Sequence, residues 1–286
     1  MNVNVKGYGE ITKQIRNGKG YTQKHVSDNL LTQGAFSKFE NNNTDINFAT
    51  MREIINRLGI TFEEFFYIQN GYQYSKRDDI ITQFYRLTYN DEAVLRVLLD
   101  KCKQYLKEFK EDQQVVHISI ILDGLIFLAK TGDFELAKKT VEPVWRDLSK
   151  RNQLYIADLY MLNAILFFFP LPTVLQIKQF ALRHIALYGN FRHVSRLQIN
   201  ISMNIALLLM KDNKYSKAHR EILNAIFLCK KEHDFILLSI CYVRKGICLN
   251  HLSQSGEKWI RKGVNMLMTL EQFSLLEMVE EEIKQY

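Results

Sequence analysis

The 286-residue chain is predicted to be all-α, with five short helices at its N-terminus and a longer array of paired helices behind them. Three observations carry this. Only three prolines occur, all between Pro143 and Pro172, so most of the backbone is free to be helical. Apolar pairs such as Ile11 and Ile15, or Val26 and Leu30, recur at i, i+4 spacing, which lines one face of a helix. In the second part the breaks "KTGDF", "KDNKY", "KEHDF" and "SQSGE" return at near-regular intervals.

Taken in order, residues 7–18 read as a first helix, which "GKGYT" ends. Thr22 is a suitable N-cap for a second helix over "QKHVSDNLL", and Thr32 for a third containing Phe36 and Phe39. After the loop "NNNTD", Phe48 to Leu58 forms a fourth, and "TFEEFF" opens a fifth with Thr61 and Glu64 arranged as a capping box. The first module is placed at residues 1–69, and the polar stretch at 70–78 reads as a linker.

From residue 79 to 286, aligning the helices that follow each break puts Val97, Ala137, Lys178, Ala218 and Trp259 at successive spacings of 40, 41, 40 and 41. A period near 40 with two helices per unit marks an α-solenoid, here irregular and tetratricopeptide-like. A non-repeating helical bundle is the alternative.

Composition narrows the function. Hydrophobic residues make up 47% of the chain, enough for a packed core. The net charge of +7 permits a polyanion partner without requiring one. Residues 1–40 carry six Lys/Arg against three acids, while 41–70 carry two against four, so the first module has a basic front. The four cysteines lack C-x-x-C spacing and read as reduced core thiols, Cys241 and Cys248 sharing a helix face. The histidines show no metal-ligand spacing, there is no G-x-S-x-G, and "GKGYT" lacks the order of a phosphate-binding loop. No catalysis, metal or other cofactor is expected. The apolar run "NAILFFFPLP" is too short to span a bilayer and the start "MNVNVKGYGE" has no apolar signal core, so a cytoplasmic protein with no membrane partner is expected.

Helices two and three, separated by only "LT", have the spacing of a helix-turn-helix, whose second helix enters the DNA major groove. Its first turn here is Gln33, Gly34 and Ala35, followed by Ser37 and Lys38. Gln can bond adenine bidentately, Thr32 and Ser37 can take phosphate or base, and Lys38 neutralises phosphate. Gly34 and Ala35 have no bulk to hold the helix off the bases. An exposed glycine costs a helix about 1 kcal/mol against alanine, which weighs against a module that merely packs or dimerises.

The run "IRNGKGYTQKHVSDNLLTQGAFSKFEN" resembles the Cro/repressor (XRE-type) helix-turn-helix, with "FSKFEN" where that family has "ISxxExG". The resemblance implies that Arg16, closing helix one, pairs with Glu40, and that Gln23 bonds phosphate and braces Gln33; Arg16, Thr22 and Gln23 thereby join the DNA-binding set. Two positions depart from the pattern: Leu31 replaces a small turn residue, and "NN" follows Glu40 in place of "NG".

The whole chain resembles the Rgg family of Gram-positive transcription regulators, through its architecture, its length, "FSKFE" and the aromatic helix "LYIADLYMLNAILFFF". That resemblance implies a homodimer acting on double-stranded operator DNA, gated by a short apolar signalling peptide in the concave groove of the repeats, with RNA polymerase a candidate further partner. On "HVSRLQINISMNIALLL", Arg196, Asn200 and Asn204 form one polar stripe at i, i+4, i+8; Tyr155, Asp158 and Asn163 are the polar intrusions on the preceding inner helix. Asn can satisfy an extended peptide backbone and Arg a carboxylate, though such Asn residues can equally bond between helices. Leu275, Met278, Val279 and Ile283 share a face of the last helix and are the expected dimer contact. The competing readings are a regulator gated by a protein partner or small molecule, and a helical-repeat interaction protein with a vestigial first module.

Overall fold

The computed structural model describes residues 6–87, 92–189, 191 and 194–286. Residues 1–5 of the first module and His193 of the expected stripe helix lie outside them. Among the described residues there are sixteen α-helices, one 3-10 turn and no strand. The chain divides into two compact units, Met1–Arg86 and Leu87–Tyr286.

The first unit holds α1 (Tyr8–Gly18), α2 (Gln23–Ser27), α3 (Gln33–Glu40), α4 (Phe48–Arg57), α5 (Phe62–Gln69) and α6 (Lys76–Arg86). Ile11, Ile15, Val26, Phe36, Phe39, Ile54, Ile55, Leu58 and Phe65 form its core. Thr22, Thr32, Asn47 and Thr61 each accept a backbone N–H at a helix start, so four of the helices are capped by their own sequence. α1 crosses α3 closely because residue 9 is glycine: a Cβ there would lie 1.7 Å from the Phe39 carbonyl oxygen.

Two elements differ from the sequence expectation. The second helix ends at Ser27, not Leu31, because Asn29 adopts a left-handed backbone (φ 57°). The amides of Leu30 and Leu31 then fold back onto the Ser27 carbonyl, and Arg57 of α4 donates to the carbonyls of Val26 and Asp28. The turn into α3 is therefore a braced five-residue segment. The expected linker 70–78 is also shorter, since residues 76–78 open α6, whose start Ser75 caps by accepting the Asp78 N–H.

Across the interior of the first unit runs an ion pair. Arg16 Nε and Nη2 donate to both oxygens of Glu40 at 2.6 and 2.9 Å, and its Nη1 donates to the Tyr21 carbonyl. Gln23 Nε2 adds a third bond to Glu40, at 2.7 Å. Glu40 is 1% exposed, so this pair ties α1, the loop after it and α2 to the end of α3. The second asparagine after Glu40, Asn42, takes the left-handed conformation (φ 57°) in which a glycine would be unstrained, and its side chain accepts the Glu10 N–H.

The second unit contains α7 (Glu92–Glu108), α8 (Gln113–Thr131), α9 (Phe134–Leu148), α10 (Ile156–Ile165), α11 (Leu171–Tyr188), α12 (Val194–Lys211), α13 (Tyr215–Lys231), α14 (Phe235–His251), α15 (Glu257–Thr269) and α16 (Phe273–Gln285). They pair as α7/α8 through α15/α16. Several breaks between helices reuse one geometry: a left-handed residue (Gly132, Asn213 and Ser253 between pairs, His233 within the α13/α14 pair) closes a helix, and at two of them the next residue, Asp133 or Asp234, caps the following one. Consecutive second helices touch one another, α8 with α10, α10 with α12, α12 with α14 and α14 with α16, while consecutive first helices approach less closely. In a two-layer array the layer with the closer spacing is the inner, concave one.

Near the end of the array, α14 and α15 are in near-backbone contact. A Cβ on Gly246 would meet the Gly256 oxygen at 2.7 Å, and one on Gly263 the Ser239 oxygen at 2.4 Å. α8 is long and apolar enough to cross a membrane, and half of that stretch is buried inside this unit.

Two stability outcomes follow. Breaking a buried pair leaves an uncompensated charge, so Arg16→Ala and Glu40→Ala should each cost about 3–5 kcal/mol, and the double variant less than their sum; strict additivity in a double-mutant cycle would remove the pair from its structural role. Gly246→Ala should lower the melting temperature, although alanine favours a helix by about 1 kcal/mol, because Ile260 and the Gly256 carbonyl must move. A raised melting temperature would mean that the helices are not this close.

Candidate nucleic-acid interface and ligand groove

The first turn of α3 is presented outward. Thr32, Gln33, Gly34 and Lys38 are exposed, Ala35 and Ser37 half-buried, while Phe36 and Phe39 pack into the core. Space around Gly34 is open: an added Cβ would meet nothing within 4 Å. Nothing inside the unit requires glycine there, in contrast to Gly9. The Thr32 hydroxyl accepts the Ala35 N–H, and that of Thr22 the His25 N–H, which leaves each hydroxyl proton to donate outward.

Two residues of the expected DNA-binding set sit elsewhere. Arg16 is only 8% exposed and its guanidinium is taken up by Glu40 and the Tyr21 carbonyl, so it positions α3 and does not reach solvent as a phosphate ligand. Gln23 gives its amide N–H to Glu40 and not to Gln33, because the carboxylate is the stronger acceptor within reach. Arg57 is the residue sequence reading missed. A basic side chain in the last turn of α4 gave no sign that it would brace the turn before α3.

In the second unit α10 and α12 belong to the inner layer. Arg196, Asn200 and Asn204 are all half-buried along α12. Asn204 Nδ2 donates to Asn163 Oδ1 at 3.1 Å, so this pair bonds between the helices. Arg196 Nε lies 3.5 Å from Asp234 Oδ2, at the start of α14. Asn200 alone in the stripe has no partner among the described residues.

The remaining two expected ligand residues serve the helix start. Asp158 is 4% exposed; it accepts the Tyr155 N–H at 2.9 Å and pairs with Arg151, which also binds Asp147. Its carboxylate is consumed by capping and pairing, so it does not face a groove. Tyr155 is 60% exposed at the head of α10. His117 Nε2 is 3.8 Å from Asp147 Oδ2, and burial, opposed by Asp147, pushes its pKa below the usual histidine value. Within electrostatic reach of Arg196 is Tyr160 of α10, whose phenol burial pushes above its ordinary range while Arg196 pulls it down.

Arg244 of α14 was not singled out in the sequence, and it organises this layer. It donates to both oxygens of Glu282 on α16, at 2.7 and 2.9 Å, and to the Met203 carbonyl on α12. A charged residue inside "CYVRKGICL" was the available signal, since a buried guanidinium demands a carboxylate. The four cysteines are buried, and burial pushes Cys102 and Cys248 up to about 12, far from thiolate reactivity. Cys241 stands beside Cys229, at 4.0 Å, and not only on the same helix face as Cys248. The expected dimer face is half used internally: Leu275 and Val279 are 4% exposed, whereas Met278 stays open.

No family model and no curated protein sequence matches the chain. Solved structures do. A protein from Listeria monocytogenes EGD-e matches with a TM-score of 0.77 at 18% identity, over 99% of this chain and 97% of its own. Bacillus thuringiensis PlcR, solved with the peptide PapR7 and DNA, matches at 0.70 and 19%, over 95% and 98%. The SHP pheromone receptor Rgg2 of Streptococcus dysgalactiae matches at 0.68 and 14%, over 98% and 99%. The chain thus has, from end to end, the fold of these proteins.

Proposed function

We propose that this protein is a DNA-binding transcription regulator whose repeat unit binds a short signalling peptide and which acts as a cytoplasmic homodimer. The observation that carries the reading is the outward first turn of α3: small and polar residues face solvent on a helix that a buried ion pair holds rigid. Support for the second half comes from the full-length likeness to proteins solved with, or described by, a peptide signal. Gln33 reads base edges, Ser37 and the two threonine hydroxyls meet phosphate, and Lys38 contributes charge. A single module of this size reads a short half-site, so two copies are needed for useful specificity.

In the groove, Asn200 is the residue placed to bond a peptide backbone, with Arg196 free to exchange Asp234 for a ligand carboxylate. Asn163 and Asn204 hold the two inner helices together and line the same seam.

Gly34→Ala separates fold from function. It should raise the stability of the first unit by up to about 1 kcal/mol and yet weaken binding to DNA fragments selected by the full-length protein. Stronger or unchanged binding would mean that the first turn does not enter a groove. Lys38→Ala should weaken all sequences alike and flatten the salt dependence by about one phosphate contact.

For the ligand, peptides captured from culture medium on the full-length chain and identified by mass spectrometry give the probe. Asn200→Ala should then lower peptide affinity roughly ten- to a hundredfold with the melting temperature unchanged, because it leaves a peptide amide unpaired and breaks no internal bond. Asn204→Ala should lower the melting temperature as well. Equal behaviour of the two variants would return the stripe to helix packing.

A further inference from the structure

The charge of the chain is concentrated near its end and with opposite signs. Residues 214–262 carry ten Lys/Arg against four Asp/Glu, a net +6, while 264–286 carry one Lys against five Glu, a net −4. Much of this charge has no ion-pair partner among the described residues. Among the described residues Lys230, Lys245, Lys258, Arg261 and Lys262 form no ion pair, and neither do Glu277, Glu280 and Glu281. By contrast, Glu282 is engaged by Arg244.

The basic side chains are held in place by aromatic rings. Lys245 Nζ lies 3.4 Å from the Trp259 ring centre, and Lys262 Nζ lies 4.5 Å from that of Tyr242. Burial and the like charges of Lys230, Lys258 and Lys262 push Lys245 below the usual lysine pKa, so the cluster repels itself. Beside it, along α15, is an open groove of about 770 Å³. Lys258, Arg261, Lys262 and Asn265 line it, Phe235, Met266 and Leu270 supply apolar surface, and Glu257 is its one acid.

α16 carries the complement. Glu277, Glu280 and Glu281 stand at i, i+3, i+4, as Lys258, Arg261 and Lys262 do on α15. Phe273 (62% exposed) and Met278 (44%) flank the acids with open apolar surface. Acidic and basic strips of matching spacing on one chain are self-complementary under a two-fold axis, since each copy offers both halves.

We infer that the α15 groove is covered by α16 of a second copy of this chain, with Glu277, Glu280 and Glu281 of each copy facing Lys258, Arg261 and Lys262 of the other. This gives the homodimer of the proposed function a defined interface in place of the apolar face that Leu275 and Val279 occupy internally. It rests on that homodimer reading, and the test separates the two.

The experiment is sedimentation of the full-length protein, native and with charge-reversed strips, with circular dichroism to show that each remains helical. Lys258→Glu/Arg261→Glu and, separately, Glu277→Lys/Glu280→Lys/Glu281→Lys should each raise the dimer dissociation constant at least tenfold. An equimolar mixture of the two should recover a heterodimer, because one half-interface keeps the native charges and the other is reversed on both sides, so both halves are complementary. The native dimer should also weaken with added salt, which needs no variant. Dimers that ignore both reversals and salt would overturn the interface while leaving dimerisation intact, and would reassign the groove to an acidic ligand. A native chain that is monomeric at all concentrations would overturn the homodimer itself.

Discussion

In each unit a buried arginine is gripped by both oxygens of a glutamate that lies far away in sequence. Arg16 and Glu40 lock α1 to the end of α3, and Arg244 and Glu282 join α14 to α16 while reaching the α12 backbone. Taking these charges out of water is costly, so the pairs contribute less to net stability than to uniqueness of arrangement: neither arginine has a second place to go. In the first unit the consequence is that α3 cannot roll. Its aromatic residues stay in the core and its small polar residues stay outside, which is the condition for reading a groove. In the second unit the pair fixes the spacing of the inner layer on which a ligand would rest.

The two candidate surfaces differ in how much the protein itself asks of them. At the first turn of α3 nothing internal requires Gln33, Gly34 or Lys38, and Gly34 even lowers the stability of its helix. At the α10–α12 seam most polar atoms already have internal duties: Asn204 with Asn163, Asp158 with Arg151, Arg196 with Asp234. The proposed function therefore rests more firmly on the first surface, and within the second on Asn200.

The fold class was legible because caps and apolar spacing act locally. Thr22, Thr32 and Thr61 cap as their positions suggested, and the repeated breaks place the helix pairs. What was missed depends on partners distant in sequence or on backbone state. α2 ends early because Asn29 turns left-handed, which no apolar pattern announces. α6 was hidden in a polar stretch although Ser75 and Asp78 form a capping signal. Asp158 illustrates the limit most clearly. A carboxylate on an apolar helix must have a partner, but sequence cannot distinguish a ligand from Arg151 seven residues earlier. The same ambiguity placed Leu275 and Val279 on an outer face when α16 uses them to dock on its own chain.

The central claim is that one chain carries two separate reading surfaces, one for DNA and one for a peptide. Hydrogen exchange on the full-length protein, read by mass spectrometry with selected DNA and with captured peptide in turn, tests it directly. DNA should slow exchange across residues 32–38, and peptide across 156–165 and 194–204, each without requiring the other. Protection by DNA that spares the start of α3, or peptide protection confined to helices outside the inner layer, would contradict the account.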